Sequence, residues 1–142
     1  MKLRAALLFA IAQAACLAAH AQGAAQAVAG VCPKASEVTQ AHLLGLWRAE
    51  FEGLPRGATL LLEKHPELGD SVRGGINRDG DRAEVAGDVD EGEFTLEESV
   101  NGTNISAVWL GDVVDGSCGR EIRGTWQAEG AHRALAFVLR KQ

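Results

Sequence analysis

The stretch Arg82-Ala83-Glu84-Val85-Ala86-Gly87-Asp88-Val89-Asp90-Glu91-Gly92-Glu93-Phe94-Thr95-Leu96-Glu97-Glu98-Ser99-Val100-Asn101-Gly102-Thr103 decides the fold. Val85, Val89, Phe94 and Leu96 alternate with polar positions, which is the period of a strand with one buried face. Between the two runs stands Asp90-Glu91-Gly92, and after the second comes Asn101-Gly102. Such residues accept the positive φ of a tight hairpin turn, so the stretch reads as two antiparallel strands.

Outward from it the pattern repeats. Strands are predicted at Leu46–Phe51, Ala58–Lys64, Ser71–Asn77, Arg82–Val89, Glu93–Val100, Asn104–Val114, Arg120–Gln127 and Ala134–Arg140. The connections are short and Gly-rich, and none can hold the crossover that a parallel pair needs. The expected fold is therefore all-β, an eight-stranded antiparallel up-and-down barrel with an N-terminal arm, since closure removes the two exposed edges. Alternation from Trp47 turns Ala49, Phe51, Ile105, Trp109, Ile122, Trp126, Phe137 and Leu139 inward. Gly74, Gly87, Gly111 and Gly124 share those faces and leave room for large neighbours or a cavity.

The first 21 of the 142 residues read as an export signal: Lys2 and Arg4, the apolar run Ala5–Ala12, and the small-residue site Ala19-His20-Ala21. Residues 22–43 form the arm and 44–142 the barrel. Gln13-Ala14-Ala15-Cys16 is a poor lipoprotein box, with Gln where an aliphatic residue belongs, so cleavage after Ala21 and a periplasmic or secreted location are expected. Loss of Lys2 and Arg4 takes the net charge from −5 to −7, with 12 basic against 19 acidic residues, and argues against nucleic acid. No later segment has the run of about 18 apolar residues that a membrane span requires. Cys32 and Cys118 remain as an even pair in an oxidising space. Cys32 leads into strand one and Cys118 lies in connection 6–7, which a meander puts at the same pole, so one disulfide is expected. Within the arm, Ser36–Leu44 suggests one short helix with Ser36 as its cap.

Gly45-Leu46-Trp47 at the start of strand one and Arg140 at the end of the last resemble the Gly-x-Trp and terminal Arg signature of the calycin barrels, the lipocalins and avidins. That resemblance implies Trp47 on the barrel floor with Arg140 lying across it. Ile105–Gly111 and Gly119–Trp126 further resemble the sixth and seventh avidin strands. The chain has no Tyr, and Arg48-Ala49-Glu50 stands where biotin's polar partners would be, so the resemblance carries the barrel and not the ligand.

Glu98 is the one acidic residue that alternation turns inward, at the pole opposite the disulfide. With Phe51, Trp109 and Trp126 it defines a candidate ligand-binding mouth; otherwise it reaches solvent or Arg133. The acidic tracts around Asp79 and Asp90 lack EF-hand spacing, and no metal or cofactor is implied. His42, His65 and His132 stand beside no nucleophile, so the chain reads as noncatalytic. The leading expectation is an exported carrier or sequestering protein for a small apolar or amphipathic molecule. The alternative is an inhibitor of a secreted or periplasmic enzyme, because Val38–Trp47 is similar in style to the arm and opening of bacterial inhibitor barrels. Apolar residues on the outer faces of strands six and eight, Val108, Leu110, Val114, Ala134, Ala136 and Val138, mark a surface for self-association or for cover by the arm.

Overall fold

The computed structural model describes residues 30–142. The expected export signal at 1–21, with Cys16, and arm residues 22–29 lie outside them. Eight strands, β1 (Gly45–Phe51), β2 (Ala58–Lys64), β3 (Ser71–Arg78), β4 (Asp81–Asp90), β5 (Glu93–Ser99), β6 (Ala107–Val113), β7 (Glu121–Ala128) and β8 (Leu135–Lys141), pair in sequence order. All pairs are antiparallel, and β8 returns to β1 to close the barrel, with Trp47 opposite Lys141 and Phe51 opposite Phe137.

Two turns precede the barrel where one helix was expected. A 3₁₀ turn spans Ala35–Glu37 and α1 spans Gln40–Leu43. They are separated by Val38, whose extended backbone drops its side chain into the core at 3% exposure. Thr39, not Ser36, precedes α1, and its backbone N–H donates to Nδ1 of His42. Both turns seat on the connections of one pole. A β-carbon at Gly92 would press on Ala35 and one at Gly119 on Val38, at 3.2 and 3.1 Å. The Cys32–Cys118 disulfide joins the arm to that rim, with the two Cα atoms 4.6 Å apart across 86 residues of chain. This end is the near pole; the end carrying the Asp79-Gly80 turn is the far pole.

The lumen is solid. Trp47, Ala49, Leu60, Val72, Leu96, Trp109, Ile122 and Leu139 have no accessible surface, so they touch no water-sized space outside or within the barrel. The inward glycines take another meaning from this packing. A β-carbon on Gly74 would lie 1.8 Å from the Leu61 carbonyl oxygen, and those on Gly87 and Gly124 2.0 Å from the carbonyl oxygens of Thr95 and Leu110. They stand where tightly coiled neighbouring strands approach too closely for any side chain, not beside a cavity.

Strand β6 begins at Ala107 rather than Asn104. The Asn101 side-chain oxygen accepts the backbone N–H groups of Thr103 and Asn104, an Asx turn that lengthens the connection. Ile105 is thereby outside the strand and 46% exposed, and Val100 is 72% exposed; neither is in the lumen. The described arm residues stop at the near pole and leave Leu110 54% exposed on the outer face. No helix among the described residues is long and apolar enough to cross a membrane.

Candidate functional site

At the near pole Trp47 forms the floor. It is fully buried and its indole N–H donates to the Leu43 carbonyl at 2.7 Å. The cation over it is Lys141, not Arg140: Lys141 Nζ stands 5.8 Å from the ring centroid and donates to the His42 carbonyl. The pleat decides the matter. Leu139 points inward beneath Trp47, so Lys141 does too and Arg140 must face out. Burial, followed by the nearby Arg120, pushes the Lys141 pKa down. Arg140 instead bridges Glu50 at 3.0 Å and Glu121 at 3.1 Å on the outer surface, and Arg123 joins the same Glu121. The Glu121 carboxyl is held below its ordinary pKa, chiefly by the hydrogen bond from Arg123.

At the far pole the four expected mouth residues do converge. Glu98 ends the inward face of β5 and is 3% exposed. Its Oε1 accepts the indole N–H of Trp109 and that of Trp126, each at 2.8 Å. Trp109 and Trp126 face one another across the β6–β7 pair. Phe51 completes the group, with ring centroids 5.2 Å from Trp109 and 5.4 Å from Trp126.

The fifth member is Arg78, one residue beyond the predicted third strand Ser71–Asn77 and the last residue of β3. Its Nη2 donates to the same Oε1 at 2.8 Å, so Arg78 rather than Arg133 is the partner of Glu98. The guanidinium lies over Trp126 at 4.8 Å and Phe51 at 5.3 Å. Arg78 is one-quarter exposed and its buried Nε has no hydrogen-bond partner. The signal for it was available: Val72, Gly74 and Ile76 face inward, and parity places Arg78 next on that face.

The arrangement is an acidic oxygen held by two indole N–H groups and walled by aromatic rings. The cation it holds is Arg78. Besides Glu98, its members among the described residues are Phe51, Trp109, Trp126 and Arg78. Among the described residues no group of three or more His, Cys, Asp or Glu gathers as a metal-ligand set. An open hollow of about 550 Å³ is lined by Glu63, His65, Arg73, Glu84, Glu97 and Thr103 among others, and reaches Glu98. Comparison with known protein families and with curated proteins finds no match to this chain.

Proposed function

We propose that this chain is an exported, noncatalytic binding protein of calycin-like build whose partner is another protein, as an inhibitor of a secreted or periplasmic enzyme. The observation that carries the reading is the packed lumen. A carrier encloses most of its ligand in an apolar cavity, and here the side chains from Trp47 up to Trp109 occupy that space without accessible surface. Binding by such a barrel falls to its rims and outer faces. The near pole supports this role: the arm is strapped there by Cys32–Cys118, and beside the bridge Val31 is 94% exposed. A bridge of this kind also suits an oxidising compartment.

The test uses the mature chain, residues 22–142, against a panel of secreted metalloproteases, serine proteases and glycoside hydrolases. Stoichiometric inhibition of one of them at micromolar concentration is expected. It should disappear in a chain beginning at Gly30 and weaken in Val31→Asp, while the melting temperature of both stays unchanged. Absence of inhibition throughout, together with a small molecule retained in native mass analysis, would return the protein to the carrier class.

A further inference from the structure

Arg78 sits in the far-pole box as a bound ligand would. We propose that the box formed by Phe51, Trp109, Trp126 and Glu98 is a binding site for an alkylguanidinium group, which Arg78 occupies in the free protein. The proposal does not depend on the enzyme-inhibitor reading.

Three observations carry it. First, the acidic group is positioned independently of Arg78. Two indole N–H donors at 2.8 Å fix Glu98 Oε1 from β6 and β7, so the carboxylate stays aimed when the arginine departs. A buried carboxylate left so needs a cation. Secondly, Arg78 fits its seat incompletely. It offers Glu98 a single Nη2 contact in place of a two-pronged fork, and its Nε is buried without an acceptor. A guanidinium not tethered to β3 is free to rotate and present two N–H groups to the carboxylate while keeping its face on the rings of Trp126 and Phe51. Thirdly, Arg78 has a way out. It is the last residue of β3, one-quarter exposed, and is followed by the turn residues Asp79 and Gly80, both at positive φ. Rotation of its side chain toward solvent opens the box without moving a strand.

The alkylguanidinium could be a free small molecule or an arginine side chain of a partner protein; the chemistry recognised is the same.

The experiment is a titration of tryptophan fluorescence and melting temperature in Arg78→Ala with ethylguanidinium chloride in the millimolar range, with sodium chloride as the ionic control. Saturable quenching and a rise of several degrees are expected with the organic cation and not with sodium. Both responses should vanish in Arg78→Ala/Glu98→Gln. In the wild-type protein the same cation should bind at least about tenfold more weakly, because Arg78 competes for the seat. A second arm titrates a short peptide with one arginine: tighter binding than ethylguanidinium assigns the site to a protein partner, and weaker binding assigns it to a free small molecule. A folded Arg78→Ala that gives no saturable response, or an equal response in the Glu98→Gln double variant, overturns the proposal. If Arg78→Ala fails to fold, Arg78→Met keeps the apolar stem, and the indole N–H resonances of Trp109 and Trp126 in the wild-type protein supply the readout. Indole resonances unmoved by the cation then count against the site.

Discussion

Trp47 illustrates how much one side chain can hold. It fills the floor, receives Lys141 on its face and closes the N-terminal segment onto the barrel through the Leu43 carbonyl. Trp47→Ala should therefore cost about 3–5 kcal/mol in denaturant unfolding. Arg140→Ala, at an exposed triad with Glu50 and Glu121, should leave the melting temperature nearly unchanged. Glu121 makes a pH prediction. Its folded pKa is lowered by Arg123 and Arg140, so its contribution is present above the ordinary carboxylate pKa and is lost as pH falls through the folded value. Melting curves from pH 6 down to pH 3 should fall less steeply for Glu121→Gln than for the wild type. At Arg140 and Arg78 the parity of the pleat, readable in the sequence, fixes the outcome: Arg140 faces out and Arg78 faces in. A family likeness put Arg140 over the floor, although Leu139 and Phe137 already claimed the inward positions. Ending the third strand one residue early hid Arg78. Glu98 was legible because no other acidic residue shared an inward face, and Trp109 and Trp126 stood with it in the expected mouth; the meeting of both indoles and Arg78 on one carboxylate oxygen was not, since alternation gives a face and not which side chains touch across the lumen.

The strands explain themselves at the level of elements. Every inward apolar position named above for β1, β2, β5 and β8 is set by strict alternation, and the turn residues mark most ends. What alternation cannot tell is how sharply a strand coils. Gly74, Gly87 and Gly124, which leave room for large neighbours or a cavity by alternation alone, stand against a neighbouring backbone. Gly74→Ala should accordingly destabilise the barrel by about 3 kcal/mol, the upper end of ordinary overpacking, as read from urea midpoints. Were the glycine beside a void, the same change would be neutral or stabilising. The Asn101 turn is a second local event that period-two reading passes over. Its side-chain oxygen draws two backbone N–H groups into a turn, so that Ile105 falls outside β6.

For the whole molecule, closure was readable because no connection is long enough for a crossover and eight strands suffice to close. The arm's attachment was readable for a related reason: pole parity in a meander places Cys32 and Cys118 together, and the disulfide is there. Cys32→Ser/Cys118→Ser should lose about 2–5 kcal/mol, measured as a fall in the denaturant midpoint that reducing agent reproduces in the wild type. The outer face of β6 leaves Leu110 half-exposed, and self-association through it is a testable expectation. Sedimentation at high micromolar concentration is expected to show a dimer that Val108→Asp dissociates without unfolding; a monomer under those conditions excludes this contact. The solid lumen has a mechanical consequence as well. Hydrostatic pressure unfolds proteins largely by collapsing internal voids, with volume changes of about −20 to −100 mL/mol. A barrel whose central side chains border no water-sized void offers compression little to remove. Its unfolding volume should lie at the small end of that range, and the chain should withstand kilobar pressures better than a hollow barrel of the same length.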